Sequence, residues 1–278
     1  MRSANLIVVI LGIAGLGTAA VVAWRWRGLP LLADVRLRVE TGQGAAVDGL
    51  RTLAVVMAAG VLAGTLVPGL GGRLVMRILG ATSSDAQGMR TAADQPVGEI
   101  TNSGTIAVIV FVGLLGGVVA ALTFLVVRRW LPTTAAPAGA LAGVLLLGTI
   151  GVSDALSPDN KDFAILRPTW LAVTLVVTLA LLFGVTFTAL AARLDAGMPT
   201  LSARPSSIAS HAALVIYLIP FFLVGAAVYV TGRAALRGRL TPFLTSTAAL
   251  RVGHSIVGIA TVVATVSSVR AVSDIISA

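Results

Sequence analysis

The sequence predicts an all-α fold, a polytopic transmembrane helix bundle that forms a single integral membrane domain over residues 1–278. Two observations on composition predict it: 57% of the residues are hydrophobic, and the chain has only 20 basic and 11 acidic side chains. The third observation is that apolar runs free of Asp, Glu, Lys and Arg alternate with hydrophilic segments, as membrane spans do. We predict about seven spans, near residues 6–24, 52–72, 105–127, 135–152, 170–192, 212–231 and 252–269.

Each of these runs suits a helix that crosses a hydrocarbon core of about 30 Å, which takes about 20 residues. The fourth and seventh runs are the shortest, so six spans are the alternative. All four tryptophans stand at the ends of runs, where indole prefers the headgroup region. They are Trp24, Trp26, Trp130 and Trp170.

Pairs of glycines four residues apart recur in three of the spans. Glycine lets helix backbones approach closely in lipid, so the pairs predict packing inside the bundle. Contacts with a protein partner or within a homo-oligomer are the alternative. Pro220, inside the sixth run, is expected to kink that helix. The pairs are Gly60 with Gly64, Gly113 with Gly117, and Gly139 with Gly143.

The end of the second span carries the first candidate site. Pro68 and the glycines after it are expected to end or bend the helix. The residues that follow resume helical spacing, with Arg73 and Arg77 on one face. Free N–H groups of a new helix beside two guanidiniums would suit an anion, whether phosphate, a lipid headgroup or a carboxylate. The alternative is an interfacial amphipathic helix whose arginines extend to lipid headgroups.

The loop before the third span adds Asp94, Glu99 and Asn102. Glu99 comes shortly before the span, and a carboxylate there would be stabilised by pairing with Arg73 or Arg77. We therefore predict a charge pair in this loop. A gating or proton-carrying carboxylate is the alternative role.

A second polar loop holds Asp154, Asp159, Asn160 and Asp162. Oxygen ligands of this kind suit a hard cation such as calcium. The spacing does not match an EF-hand, because the central glycine and the distal glutamate are missing. The alternative is a β-turn over residues 157–160, with proline at its second position.

The sequence lacks residues that many cofactors need. The absence of cysteine excludes disulfides, thiolate nucleophiles and sulfur-bound metals. His211 and His254 are expected at opposite faces of the membrane, which excludes a haem held by both. The single lysine, Lys161, lies in a loop, so neither a phosphate-binding P-loop nor a Schiff base within a span is available. We predict no cofactor and no metal.

The formal net charge of +9 comes from arginines spread over the loops. Basic residues beside spans favour anionic headgroups, so we predict membrane lipids, and no nucleic acid, as partners. Arg25 and Arg27 follow the first span and only Arg2 precedes it, which places the amino terminus outside by the positive-inside rule. For seven alternating spans, however, the basic residues of the whole chain divide equally between the two sides.

Three strings, at residues 72–77, 97–101 and 157–163, resemble segments of multi-pass bacterial membrane proteins of unknown function. They read Gly-Arg-Leu-Val-Met-Arg, Val-Gly-Glu-Ile-Thr and Ser-Pro-Asp-Asn-Lys-Asp-Phe. The resemblance implies a multi-pass membrane protein and no activity.

Spans without charged residues favour a non-catalytic protein, a structural, assembly or accessory subunit of a membrane complex. The alternative is a transporter of a small solute, ion or anion, with its site near Arg73, Arg77 and Glu99. It comes second because transporters usually place ionisable groups at mid-membrane depth. An enzyme acting at the membrane surface is third. The composition, rich in Arg, Ala, Val and Gly, is typical of a high-GC bacterial genome, so we expect the bacterial cytoplasmic membrane.

Overall fold

The computed structural model of the chain describes residues 2–31, 43–92, 94–97, 99, 101–197 and 246–277. The predicted sixth span, with Pro220 and His211, lies outside the described residues. The described part is mostly helical and has no strand, only the isolated bridges Pro30 with Thr134 and Arg90 with Pro96. The predicted all-α class is confirmed.

The first half of the chain forms α1 (Arg2–Trp26), α2 (Gln43–Gly64), π-helical turns at Thr65–Gly71 and α3 (Gly72–Thr82). It continues with α4 (Asn102–Ala107), π-helical turns at Val108–Leu115 and α5 (Gly116–Val127). The second half forms α6 (Ala135–Leu146), π-helical turns at Leu147–Gly151, α7 (Lys161–Ile165), α8 (Thr169–Gly197) and α9 (Thr247–Ser277). Short 3-10 turns lie at Ser84–Ala86 and Arg128–Trp130.

Five of the described helices are long and apolar enough to cross a membrane. Each contains one predicted span, because backbone hydrogen bonds continue the helix past the point where charged residues begin. A shorter apolar helix, Ala135–Gly151, coincides with the fourth predicted run, one of the two shortest. The five are Leu6–Trp26, Arg51–Thr82, Asn102–Trp130, Thr169–Gly197 and Thr247–Ser277.

The second span does not end at Pro68, so of the two predicted outcomes, an end or a bend, the end is wrong. Gly64 and Gly72, which flank the π-helical turns, both have right-handed helical angles, and the Gly72 N–H donates to carbonyls of the preceding turn. Proline has no N–H, and wider π-helical turns accommodate it in a helix whose other backbone groups must be paired within lipid. The free helix terminus expected before Arg73 is therefore replaced by continuous helix.

One end of the bundle is built from loops, residues 83–101 and 152–168, and is called the polar end below. The two loops are joined directly, since the Ala92 N–H donates to the Asp162 carboxylate at 2.6 Å. A loop that follows the second span thus packs on a loop that follows the fourth predicted run, as helices of alternating direction require.

The opposite end, called the tryptophan end, contains residues 24–31 and 128–134. These two connections also touch, because the Leu31 N–H donates to the Thr133 carbonyl at 2.8 Å. Three of the four tryptophans lie here, in the headgroup position that the sequence predicts.

The last helix, α9, begins at the tryptophan end. A Cβ added to Gly253 would meet the Trp130 indole, and Ala264 lies against Gly148 of the shorter apolar helix. Ile275, near the carboxyl end of α9, joins the buried cluster at the polar end. The described apolar helices therefore alternate in direction, whereas seven alternating spans would have reversed α9.

Two buried clusters hold the described helices together. The larger includes Leu53, Phe124 and Phe187, and the two phenylalanine rings meet edge to face with centroids 5.1 Å apart. The smaller lies at the polar end and includes Leu156 and Phe163 of the second polar loop. That loop is therefore anchored by buried side chains.

The glycines that stand four residues apart in the sequence lie at contacts between helices of the same chain. A Cβ on either member of a facing pair would run into a backbone carbonyl of the opposite helix, so the backbones are in direct contact. This geometry agrees with packing inside the bundle, and a protein partner would contact other faces. The facing pairs are Gly60 with Gly117, Gly64 with Gly113, and Gly139 with Gly184.

Candidate functional site

Arg73 stands at the membrane margin, one full span away from Arg51. Arg51 belongs to the tryptophan end of the bundle, where its guanidinium bonds the Asp195 carboxylate at 2.5 Å. An α-helix would rise about 33 Å from residue 51 to residue 73, and the π-helical turns at Thr65–Gly71 shorten this to a value close to a hydrocarbon core of about 30 Å. Arg73 is therefore at the level of the headgroups at the polar end.

The Arg73 side chain is nevertheless buried, with the residue only 5% exposed. Its Nε and Nη2 atoms are out of contact with solvent and have no hydrogen-bond partner. A buried guanidinium without a partner is costly, because it has lost part of its hydration and has gained no hydrogen bond in exchange. This environment is typical of a site that a counter-charge completes.

Gly104 allows the Arg73 guanidinium to approach α4. A Cβ at this position would collide with Nη2 of Arg73, and it would lie 2.6 Å from Oε1 of Gln95 and 2.7 Å from Oγ1 of Thr101. Thr101 is the N-cap of α4, and its hydroxyl oxygen accepts the Gly104 N–H at 3.1 Å. The capped first turn of α4 thus presents bare backbone to the guanidinium.

A tight loop, residues 89–97, brings further polar groups to Arg73. The Thr91 N–H donates to the Gln95 carbonyl at 2.9 Å, and the Gln95 N–H donates back to Oγ1 of Thr91 at 3.1 Å. The Thr101 hydroxyl donates to Oε1 of Gln95 at 2.9 Å. The amide NH2 of Gln95 and the hydroxyl hydrogen of Thr91 remain as donors.

A partly open cavity of about 30 Å³ lies between α3 and this loop. Space of this size holds about two water molecules, since one needs roughly 10–15 Å³ of the same measure. Arg73, Arg77 and Glu99 line the cavity, together with Thr91 and Gln95. Two positive side chains and one negative side chain thus share a small cavity at the polar end.

Three of the residues predicted for this site, Arg73, Arg77 and Glu99, are therefore brought together. Glu99 is exposed, and among the ion pairs of the described residues it has none with Arg73. The structure places the predicted partners in one cavity wall, with the Glu99 carboxylate on the water side and Arg73 inside.

The other two residues predicted for this loop lie outside the cavity wall. The Asp94 carboxylate bonds the Arg90 guanidinium at 3.0 Å in an exposed pair four residues apart. Asp94 also has a positive φ of 56°, which Asp tolerates at a tight turn. Asn102 is exposed and begins α4.

The second polar loop contains the predicted β-turn, with the Asn160 N–H donating to the Ser157 carbonyl at 3.0 Å. Asn160 then caps α7, because its Oδ1 accepts the Asp162 N–H at 3.0 Å. Its amide also donates to the Asp154 carbonyl at 3.3 Å. The asparagine at the end of the turn therefore organises the whole loop.

The carboxylates of this loop have separate surroundings. Asp162 accepts the Ala92 N–H, and Asp159 is exposed at the turn. Across the ranges that the structure describes, no group of three or more His, Cys, Asp or Glu side chains is arranged to hold a metal ion.

Sequence reasoning missed three residues of the site, Thr91, Gln95 and Gly104. The threonine before Asn102 is a recognisable N-cap, and it could have placed Gly104 in the first turn of a helix. No pattern along the sequence brings Gln95 to Arg73, since that approach depends on the path of the loop.

The tryptophan end pairs arginines with indole rings. Such pairs gain from the attraction of a cation to the ring face, and they suit the headgroup region. The guanidinium carbons lie 3.6 Å (Arg27 on Trp24), 5.3 Å (Arg129 on Trp130) and 5.8 Å (Arg193 on Trp26) from the ring centroids.

The two ends of the bundle therefore differ in chemistry, and Arg73, which is buried and has no hydrogen-bond partner among the described residues, is at the polar end. The chain matches no protein-family model, no curated protein and no solved structure.

Proposed function

We propose that the chain is a non-catalytic structural, assembly or accessory subunit of a complex in the bacterial cytoplasmic membrane. The observation that carries the proposal is the distribution of charge, because the charged side chains of the described residues lie in loops or near the ends of apolar helices. Between these ends the bundle is filled by apolar side chains and by glycine contacts. A filled interior suits a protein that supports other spans.

The outward face of α9 is the surface we assign to a partner. It exposes large apolar side chains, among them Ile256, Ile259 and Val263. Gly258 is also exposed, on the same helix face as Val262, and a Cβ added to it would meet no described atom within 4 Å, so another helix could approach closely there.

The substitution Gly258→Leu tests this assignment. The Cβ of the new side chain would meet no atom of the described residues within 4 Å, so we expect no loss of thermal stability in the isolated protein. We expect a smaller particle mass when the protein is extracted from its native membrane in polymer-bounded discs, because the added side chain keeps a partner helix away. Gly17→Leu on α1, which is also in open space, is the matched control. Equal particle masses for the wild type, both variants and the chain purified alone would contradict an accessory role.

A transporter with its site near Arg73, Arg77 and Glu99 is the second candidate function. The specific observation in its favour is that these three side chains line one cavity at the polar end. The test is uptake of inorganic phosphate or chloride into liposomes that contain the purified protein. Transport predicts uptake above that of protein-free liposomes and its loss in Arg73→Gln, whereas the accessory role predicts no uptake.

We also propose that the amino terminus is outside and the tryptophan end is cytoplasmic. Arg25, Arg27 and Arg51 lie where the first two helices end and begin, and the first helix usually dominates orientation.

A further inference from the structure

We infer that the cavity beside Arg73 binds a phosphate group at the membrane surface, either the phosphate of an anionic lipid headgroup or free inorganic phosphate. Both sources offer the same chemistry, a compact dianion or monoanion with several acceptor oxygens. The inference goes beyond the accessory role and does not rest on it, because it concerns a ligand of the chain itself.

The first support is the balance of charge in the cavity. Arg73 is 5% exposed and unpartnered at two of its nitrogens, and Arg77 adds a second positive charge to the same wall. The only carboxylate in the wall, that of Glu99, is exposed and has no ion pair with Arg73. An anion inside the cavity supplies the counter-charge that the buried guanidinium lacks.

The second support is that no hydrogen bond inside the protein neutralises Arg73. Its Nε and Nη2 atoms are enclosed by the protein without a hydrogen-bond partner, and Nη2 lies beside Gly104. An anion in the cavity therefore reaches Arg73 at its remaining nitrogen, Nη1, where a charge-assisted hydrogen bond can form.

The third support is the set of further donors in the wall. The Thr91 oxygen and the Gln95 amide oxygen already accept hydrogen bonds from within the loop, which leaves the Thr91 O–H and the Gln95 NH2 to donate. A phosphate has more acceptor oxygens than the Arg73 guanidinium can bond, so it can also accept hydrogen bonds from the Thr91 hydroxyl and the Gln95 amide. This excess of donors favours phosphate over a carboxylate.

The fourth support is position and size. Arg73 lies at the level of the headgroups, and Met76 and Leu166 give the cavity an apolar side. A cavity of about 30 Å³ receives a terminal phosphate but not a sugar or a peptide, so the rest of a lipid would stay at the surface.

The experiment measures binding to the full chain in an uncharged detergent. The probes are inorganic phosphate, dioleoyl phosphatidic acid and, as the neutral lipid, dioleoyl phosphatidylcholine, and the readout is the midpoint of thermal unfolding as each is titrated. We expect the midpoint to rise with phosphatidic acid or with phosphate, and the apparent affinity to fall by about tenfold or more in Arg73→Gln, which removes a charge-assisted hydrogen bond. Arg90→Gln is the matched control, because it removes one positive charge from an exposed side chain at the same end.

A rise with phosphatidic acid alone assigns the site to a lipid headgroup, and a rise with inorganic phosphate assigns it to a soluble anion. If Arg73→Gln fails to fold, Arg73→Lys is used, which keeps the charge and loses the planar guanidinium, and a weaker apparent affinity than that of the wild type is again expected. The inference is overturned if neither anion raises the midpoint, if the folded Arg73 variant binds as the wild type does, or if Arg90→Gln loses as much affinity. None of these results bears on partner association, so a failure here is distinct from a failure of the accessory role.

Discussion

At the scale of single residues, the position of Arg73 depends on the hydrogen that Gly104 carries in place of a side chain. The guanidinium occupies the space in which a Cβ would lie, close to the capping threonine of α4. The arginine could be predicted as a site residue because it follows a span at helical spacing from Arg77. Gly104 could not be predicted as a site residue, because its role comes from its contact with the Arg73 guanidinium, which is distant in the sequence.

The substitution Gly104→Ala is therefore expected to destabilise the protein. The added methyl group must displace the guanidinium, and overpacking of this kind costs about 1–3 kcal/mol of unfolding free energy. Gly116→Ala, in α5, is the control, because nothing lies within 4 Å of its added Cβ and alanine favours a helix over glycine by about 1 kcal/mol. Unfolding in mixed micelles with increasing denaturing detergent compares the two, and equal losses of stability would contradict the assigned contact.

At the scale of elements, the helix that runs from α2 through π-helical turns into α3 shows where local and global preferences differ. The sequence predicted the spans well, since the segregation of charged residues from apolar runs is a property of the whole segment. It was wrong to allow that the helix ends at Pro68, because the rule that proline ends a helix describes a chain surrounded by water. Within lipid an ended helix would leave backbone groups unpaired, so continuing through wider turns is favourable.

The crossing of this helix with the α4–α5 helix predicts a sharp response to one methyl group. In Gly64→Ala the new Cβ would meet the Gly113 carbonyl, which is backbone and cannot rotate away. We expect a loss of about 1–3 kcal/mol of unfolding free energy from the forced separation of the helices. Gly17→Ala, on the open face of α1, should leave stability unchanged or slightly raised. The same detergent unfolding assay distinguishes them.

The ion pair between α2 and α8 should couple those helices. The side chains of Arg51 and Asp195 are only 13% and 23% exposed, so water screens their attraction incompletely. We expect a coupling of about 1–3 kcal/mol in a double-mutant cycle with alanine. The exposed pair Arg90 and Asp94 should give about 0.3–0.5 kcal/mol and should lose it at high salt. Similar coupling in the two cycles would show that burial does not strengthen the first pair.

At the scale of the whole molecule, the described apolar helices alternate in direction and divide the loops between two unlike ends. The sequence could predict that charges lie at the ends, because ionisable groups are expensive in lipid. The sequence could not predict at which end of the bundle α9 begins, since that depends on the packing of Gly253 against the Trp130 indole. The chain-wide count of basic residues was uninformative because, for seven alternating spans, these residues divide equally between the two sides.

The proposed orientation predicts which end reacts with a membrane-impermeant maleimide in intact cells. The chain has no cysteine, so a single introduced thiol is the only one that can react. Asp85→Cys at the polar end should be labelled from outside, and Gly28→Cys at the tryptophan end should be labelled only after the membrane is permeabilised. Both positions are exposed, so neither substitution should disturb packing. The reverse labelling pattern would place the amino terminus inside.

The contact between Gly253 and Trp130 also makes the fluorescence of Trp130 a signal for the position of α9. The indole ring is covered by the backbone of α9, and its emission should depend on whether that helix is seated. Release of α9 would admit water or headgroups to the ring and shift its fluorescence to longer wavelength. Replacement of the other three tryptophans by phenylalanine would isolate this signal and let the docking of the last helix be followed in real time.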